Sequence, residues 1–376
     1  MRSEIFNPKF RQFVFQNLLY IGLTLGIVVF VNYFVDSSQV NTTKSYREMA
    51  RLALAGNTVA VPENYNERAF QVSVVEEMSS LPETIVIGSS RGMYLGEEVT
   101  SYQHIYNNCV SGACMEDYYA LLGLYQQKFS SLPKQVIIEI SPWVFYENNP
   151  ENRWLENDKY LASCKSFYYL VNGVELQEKL EEVEKGKEKA NLKKENPYFS
   201  IPYFQYNISI LRKKGIKAFV VEKARISTDD SEAADLPDGT IRYVAASEKA
   251  NPERLKKVKE TKEGVTYENV HKMNELGYKQ QVEFENILKY LKNNNIEVIL
   301  FMSPFSKTQC KYIYEKNTNP IFEDVEEYLI KTCQRYGIII KGSFNAKRFD
   351  LTDDYFIDFM HLDKAGTKVV WEGMIR

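Results

Sequence analysis

Residues 84–92 read TIVIGSSRG, and this stretch decides the fold class. The first four residues are β-branched, which is typical of a short buried strand, and a glycine turn follows at once. Open α/β sheets place their ligands where strands lead into such turns, and glycine lets the chain turn sharply enough to expose a hydroxyl group. Ser90 is therefore a candidate nucleophile. A plain turn is the alternative, because glycine and serine are common in loops.

Apolar strands and helical segments alternate beyond this stretch at spacings typical of crossover βαβ units. We predict strands at 84–87, 135–140, 297–302 and 337–341, and helices at 116–129, 266–293 and 322–335. This order predicts an α/β fold with three layers and a mostly parallel sheet. Functional residues would come from loops that meet at the carboxyl edge of that sheet.

A histidine with a carboxylate partner lies at the opposite end of this alternating region. The chain has three histidines, and His361 follows Asp358 by three residues. Residues three apart in a helical turn lie on one face, so Asp358 could orient the imidazole and leave its other nitrogen as a base. Ser90 needs such a base, because an unassisted hydroxyl is a weak nucleophile. We therefore predict a triad of Ser90, His361 and Asp358.

The segment 105–113, IYNNCVSGA, supplies a candidate oxyanion donor. The amide of Gly112 could lie beside the reacting centre, because glycine lets an acyl group approach closely. Arg91, directly after the nucleophile, could hold an anionic acceptor or form a structural salt bridge.

These blocks resemble the SGNH hydrolase superfamily, also called GDSL-type esterases. Gly88 to Ser90 match the nucleophile block, with Ser89 where the family often has Asp. Residues 107–112 match the oxyanion-glycine block, and 358–361 match the family's Asp-x-x-His. The resemblance implies a flavodoxin-like fold and an oxyanion site that includes Asn107 and Gly112. It covers about residues 81–148 and 266–376.

One block departs from the family's pattern. The family usually follows its third strand with an Asn whose side chain completes the oxyanion hole, and Trp143 stands at the matching place here. Losing one oxyanion donor costs on the order of 2.7–4 kcal/mol of transition-state stabilisation. The site must therefore replace this donor or work slowly. Asn148 and Asn149 follow soon afterwards in the chain.

The Gly-Ser-Ser-Arg form and the Ser-Pro-Trp sequence at 141–143 look like the membrane-anchored branch of this superfamily. That branch includes alginate O-acetylation proteins and the D protein of teichoic-acid D-alanylation. Such relatives typically work beside a membrane-bound O-acyltransferase and help to move acyl groups onto cell-surface polymers. The resemblance thus implies an acyl donor, a polysaccharide or polyol acceptor and a membrane-bound O-acyltransferase as partner.

The segment from Phe13 to Val31 contains 19 residues and no charge. At about 1.5 Å per residue a helix of this length spans roughly 28 Å, close to the hydrocarbon core of a bilayer. We predict a transmembrane helix rather than a cleaved signal peptide, because no small-x-small site follows. A buried core helix is the alternative. Basic residues before the helix favour a cytoplasmic amino terminus and an extracytoplasmic domain, although basic residues also follow it: Arg2, Lys9 and Arg11 before, Lys44, Arg47 and Arg51 after.

We divide the chain into an anchor with its cytoplasmic tip at 1–36, a polar connector at 37–80, an α/β domain at 81–149 and 266–376, and an insertion at 150–265. The insertion contains a highly charged helical segment at 175–194. An aromatic run at 197–204 could stack on sugar rings or pack in a core, and a turn at 236–243 opens a short strand or hairpin. This insertion is either a substrate-facing lid or purely structural.

Composition argues against several other classes of function. A formal net charge of −3 gives no basic face for nucleic acid. Five cysteines lack metal or redox spacing, and an odd number leaves at least one unpaired within the chain. His104 and His271 have no neighbouring ligand pattern, and no phosphate-binding glycine loop occurs. We predict no metal and no cofactor.

These observations predict a membrane-anchored, serine-dependent acyl transferase or esterase that acts on acyl groups of a cell-surface polysaccharide or related envelope polymer. One alternative is a catalytically weak or inactive polymer-binding partner of the acyltransferase. A second alternative is a structural protein with an unrelated α/β domain, in which Ser90 and His361 would lie far apart.

Overall fold

The computed structural model describes residues 8–35, 43–62, 65–176, 197–215, 224–244, 252–259, 273, 275–315 and 321–373. These residues belong to two compact units. The first unit comprises the described parts of 1–45, 62–64 and 177–223, and the second comprises those of 46–61, 65–176 and 224–376.

The strands of the second unit are numbered in chain order. Within the described residues they are β1 (Val59–Ala60), β2 (Thr84–Ile87), β3 (Ile105–Asn107), β4 (Gln135–Glu139), β5 (Ala234–Asp235), β6 (Ile241–Arg242), β7 (Glu297–Met302) and β8 (Ile339–Gly342). The α-helices of both units, within the same ranges, are α1 (Pro8–Val35), α2 (Thr43–Leu54), α3 (Glu67–Glu77), α4 (Glu97–Thr100), α5 (Met115–Phe129), α6 (Asp158–Asn172), α7 (Ile201–Lys214), α8 (Pro252–Lys259), α9 (Tyr278–Asn293), α10 (Lys307–Cys310), α11 (Ile321–Tyr336) and α12 (Lys364–Glu372).

A five-stranded parallel sheet in the order β3-β2-β4-β7-β8 forms the centre of the second unit. Its central strands consist mostly of β-branched and other apolar residues that are buried on both faces, as expected for a parallel sheet. The prediction of an α/β fold with a parallel sheet is therefore confirmed. Because β2 is a central strand, the loop after it lies at the carboxyl edge between two neighbouring strands.

The strands and helices predicted in the alternating region agree with the observed ones to within about two residues, except the helix at 266–293. Strand β3 was not predicted, because three residues are too few to show a periodic pattern. The helix predicted at 266–293 is observed from Tyr278 to Asn293, and most of its earlier part lies outside the described residues.

The stretch 37–80, predicted as a polar connector, contains α2, β1 and α3. Helix α3 is buried despite its polar residues, because Arg68 forms an ion pair with Asp117 of α5 at 2.7 Å. Asn66 caps this helix by accepting the amide N–H of Ala69. A charged residue with a buried partner cannot be distinguished from a solvated one by sequence pattern alone.

The stretch 150–265, predicted as one insertion, is divided between the two units. Helix α6 packs on α5, where Gly123 permits close approach: a Cβ atom there would lie 2.4 Å from the Ser163 carbonyl oxygen. The charged segment predicted as a helix at 175–194 lies almost entirely outside the described residues. The turn predicted at 236–243 to open a short strand or hairpin joins β5 to β6, which pair antiparallel, and β1 pairs with β5 to complete a small sheet.

In the first unit, α1 is long and apolar enough to cross a membrane. Its last turns pack against α7: Val31 and Val35 contact Phe204, Ile208 and Leu211. Asn32 is fully buried in this contact and donates to the carbonyl oxygens of residues 198 and 200, both at 3.0 Å. The aromatic run at 197–204 thus contributes to packing on the apolar helix, where Tyr198 also meets the ring of Tyr33.

The small sheet contains a buried carboxyl group that should make stability depend on pH. Burial raises the pKa of Asp235 to about 7, although Tyr65 donates a hydrogen bond of 2.7 Å to it. An unfolded chain would release this proton near pH ~4, so folding stability should fall as pH rises from ~4 to ~7, by at most about 1.4 kcal/mol per pH unit.

Asp235→Asn keeps an acceptor for Tyr65 but removes the charge. We expect the unfolding midpoint of the variant, measured for the full chain in detergent from pH 5 to 8, to fall less with pH than that of the wild type. Parallel pH profiles for the two proteins would contradict this assignment.

Candidate active site

Ser90 lies in a single 3-10 turn, Ser90–Gly92, that follows β2 after two residues. Gly88 opens this turn with φ +155°, and a Cβ atom there would lie 2.6 Å from Cβ of Glu139 on the neighbouring strand β4. A side chain at position 88 would therefore collide with β4. The glycine allows the chain to leave the sheet sharply and present the half-buried Ser90 at the sheet's edge.

A continuous line of hydrogen bonds joins Ser90, His361 and Asp358. Ser90 Oγ lies 2.8 Å from His361 Nε2, and His361 Nδ1 lies 2.8 Å from Asp358 Oδ2. The two distances are those of a serine, a base and an orienting carboxylate. Residues separated by 271 positions in the chain thus meet at the carboxyl edge of the sheet.

The local geometry of Asp358 and His361 differs from the predicted helical turn. Residues 357–361 are non-helical, and Asp358 Oδ1 accepts the amide N–H groups of Met360 and His361, both at 2.9 Å. A bridge between Phe356 and Leu362 closes this loop. The three-residue spacing brings the two side chains together through an Asx-type turn rather than through a shared helix face.

The carboxyl group of Asp358 is held in its ionised form. Burial by itself would raise the pKa of Asp358, but the adjacent His361 ring and the hydrogen bonds from residues 360 and 361 bring it below the usual aspartate value. A carboxylate that stays charged at neutral pH can orient the imidazole and stabilise the imidazolium that forms when Ser90 is deprotonated.

Glu139 lies directly beneath the nucleophile turn, and sequence reasoning did not identify it. Its carboxylate is fully buried and accepts the Ser89 amide N–H at 2.6 Å and the Ser141 hydroxyl at 2.8 Å. Ser89 Oγ lies 3.1 Å from Ser141 Oγ. A charged residue in the apolar strand QVIIE was the available signal, since such a residue must find donors if the strand is buried.

Arg91 points inward and links the nucleophile turn to the histidine loop. Its guanidinium donates to the carbonyl oxygens of Met360, at 3.2 Å, and Ser303, and it lies over the ring of Phe305 at 4.1 Å. Burial lowers the pKa of Arg91 to about 10. Of the two predicted roles, neither anion binding nor a direct salt bridge fits, because the residue is 3% exposed and its guanidinium donates to the carbonyl oxygens of Met360 and Ser303 rather than to a carboxylate.

The two predicted oxyanion residues have different surroundings. Asn107 is buried, and its side-chain amide donates to the carbonyl oxygens of Gly92 and Leu95 while its oxygen accepts the Cys109 amide. These bonds use both ends of the side chain, so Asn107 shapes the loop instead of meeting a substrate.

Gly112 remains a candidate donor. It is buried and has a left-handed φ of +62°. The loop before it runs along the nucleophile strand, where Val110 donates to the carbonyl oxygen of Gly88 at 3.0 Å.

Trp143 does not reproduce the missing side-chain donor. Its indole N–H donates to the carbonyl oxygen of Ala113 at 3.1 Å, and its ring faces the Arg91 guanidinium at 5.8 Å. Asn149 donates to the Trp143 carbonyl oxygen, and Asn148 is exposed. Trp143 therefore supports the loop that carries Gly112 and the buried face of Arg91.

The remaining candidates have structural surroundings. All five cysteines lie within the described residues, are buried and form no disulfide there, and burial raises the pKa of Cys109 well above its ordinary value. His104 is exposed at a positive φ of 54°, and His271 lies outside the described residues. Among the described residues, no group of three or more His, Cys, Asp or Glu side chains is arranged to hold a metal ion.

No protein-family model and no curated protein matches this sequence, so the site is interpreted from its own geometry.

The orienting role of Asp358 can be tested by Asp358→Asn. The amide oxygen can still accept the backbone N–H groups of residues 360 and 361, but an NH₂ group facing His361 favours the wrong tautomer. We expect the rate at which a fluorophosphonate modifies Ser90 to fall on the order of 10³- to 10⁴-fold, with the unfolding midpoint nearly unchanged. A variant that reacts at the wild-type rate would show that Asp358 does not orient the histidine.

Proposed function

We propose that this protein is a membrane-anchored, serine-dependent acyl transferase or esterase of the SGNH superfamily, acting on acyl groups of a cell-surface polysaccharide or related envelope polymer. The hydrogen-bonded line Ser90–His361–Asp358 carries the proposal, because it supplies a nucleophile, a base and an orienting carboxylate in the required order. The resemblance of residues 88–90, 107–112 and 358–361 to the superfamily's blocks supports the same chemistry.

In the first half-reaction Ser90 Oγ attacks the carbonyl carbon of an acyl ester or thioester. His361 Nε2 accepts the hydroxyl proton, and Asp358 stabilises the resulting imidazolium. Amide N–H groups of Ser90 and Gly112 would stabilise the negative oxygen of the tetrahedral intermediate. Collapse of this intermediate breaks the bond to the alcohol or thiol, which leaves with the proton from His361, and an acyl-serine remains.

In the second half-reaction a hydroxyl group attacks the acyl-serine, again with His361 as base. Water would yield a free acid and make the protein an esterase. A sugar or polyol hydroxyl would yield a new ester and make it a transferase. Attachment to a membrane favours transfer, because a tethered enzyme meets a high local concentration of an acceptor held at the same surface.

The proposed location follows from α1, which would cross the membrane with its amino terminus in the cytoplasm and the α/β unit outside. Envelope polymers are accessible on that side. By resemblance to the membrane-anchored branch, we propose a membrane-bound O-acyltransferase as partner, which would deliver the acyl group. We also propose the three-layer SGNH arrangement for the α/β unit, with the segments between β4 and α9 as its insertion; the parallel order of the five strands supports it.

A second candidate is a weakly active or inactive polymer-binding partner of the acyltransferase. One observation favours it: Trp143 stands where the superfamily has an oxyanion Asn and donates its indole N–H to a protein carbonyl instead. Such a protein would bind the polymer without an activated Ser90. Reactivity of Ser90 separates the two candidates.

We expect a fluorophosphonate probe to label the full chain in detergent, with one adduct on Ser90 by intact mass and peptide mapping. Formation of the Oγ–phosphorus bond releases fluoride and requires the base. Ser90→Ala and His361→Ala should abolish labelling, and Ser131→Ala, which removes an exposed-loop serine, should not change it. Folded wild-type protein that is never labelled would favour the inactive partner.

A further inference from the structure

The peptide group between Ser111 and Gly112 is held by two arginines. The Ser111 carbonyl oxygen accepts a hydrogen bond from Arg153 Nη2 at 2.9 Å and a longer one from Arg68 Nη2 at 3.4 Å. The carbonyl and amide of one trans peptide point in opposite directions. Because the two guanidinium groups fix the carbonyl, they also fix the direction of the Gly112 N–H.

The residues on either side of this peptide are fixed as well. Glu67 of α3 accepts both the Ser111 amide N–H and the Ser111 hydroxyl, the latter at 2.7 Å. Arg68 is in turn held by Asp117 at 2.7 and 2.8 Å. The loop thus has little freedom to rotate the Gly112 amide toward another partner.

The Gly112 N–H itself has no protein acceptor within the described residues, although the residue is buried. Buried backbone N–H groups without an acceptor are rare in folded proteins. A donor that is oriented by charged groups and left unpaired is suited to an oxygen atom that arrives with a substrate.

We propose that Arg153, assisted by Arg68, positions and polarises the Ser111–Gly112 peptide so that Gly112 compensates for the side-chain donor lost at Trp143. Hydrogen bonds to ionised donors are stronger than neutral ones, and a peptide polarised at its carbonyl becomes a stronger donor at its N–H. The inference rests on the proposed function, since it assigns Arg153 as a positioning residue for the same oxyanion.

Arg153 is the better residue to change. Arg68 is buried in its ion pair with Asp117, so its removal would leave an unpaired buried carboxylate and could prevent folding. The side chain of Arg153 is 38% exposed, and although its partner Glu151 is only 4% exposed, that carboxylate also accepts the Arg153 amide N–H at 2.8 Å, which a substitution at 153 keeps. Arg153→Gln removes the charge, and Arg153→Lys keeps it but loses the planar fork.

The experiment compares these two variants with wild type in the full-length protein in detergent. It measures the second-order rate of fluorophosphonate labelling at Ser90, and kcat and KM for p-nitrophenyl acetate. We expect Arg153→Gln to slow labelling and to lower kcat by about tenfold or more, with KM and the pH dependence of the rate unchanged, because substrate binding and the His361 base are untouched. Arg153→Lys should recover part of the loss.

Arg335→Gln provides the matched control, because Arg335 forms an exposed ion pair with Glu285 on α9, away from the site. It should react like wild type. If wild type is labelled and folded Arg153→Gln is labelled at the same rate, the inference is overturned while the proposed function stands. If folded wild type is not labelled at all, both are overturned.

Discussion

The geometry of the candidate site depends on the buried carboxylate of Glu139. A buried carboxylate is costly unless donors surround it, and here the donors are the Ser89 amide and the Ser141 hydroxyl. Gly88 and Gly92 make this contact possible, since a Cβ atom at either position would lie within 3.0 Å of the Glu139 side chain. Ser141 also lies 3.5 Å from the Arg91 guanidinium, which reaches the carbonyl oxygen next to His361. One buried acid thereby couples the position of the nucleophile to the position of its base.

Strong local patterns made much of the parallel sheet predictable. Strand 84–87 is β-branched throughout and ends in a glycine turn, and a continuous apolar run located the strand at 297–302. The helices in 37–80 were missed because their stability comes from partners distant in sequence. In the sequence Arg68 looks like a solvated charge, and only the fold reveals its ion pair with Asp117. Strand β1 pairs with a strand far along the chain, since Ala60 lies opposite Ala234, 174 positions later. Only tertiary contacts distinguish such segments from linkers.

In the candidate site, too, local sequence patterns revealed some residues and tertiary contacts determined the rest. Ser90, His361 and Asp358 could be found from sequence because each stands in a short pattern with a chemical reason, although the Asx-type turn that joins the last two was mistaken for a helical turn. Asn107 was assigned to the oxyanion site and Arg91 to an anionic acceptor or a structural salt bridge, yet both side chains donate to backbone carbonyl groups. Arg153 and Glu139 belong to no recognisable sequence motif. Their roles arise from where the fold brings their charges, which a pattern of neighbouring residues does not encode.

The contact of Asn32 with the carbonyl oxygens of residues 198 and 200 makes the apolar helix α1 part of a folded structure. A version of the chain cut after residue 36 would lose Val31, Asn32 and Val35 together. Phe204, Ile208 and Leu211 would then face water, and the carbonyl groups of residues 198 and 200 would lose the Asn32 donor. A truncated protein should therefore self-associate through α7, and an unrelated apolar helix grafted in its place would not substitute for α1. Where this protein can be cut is decided by helix packing rather than by the end of the apolar segment.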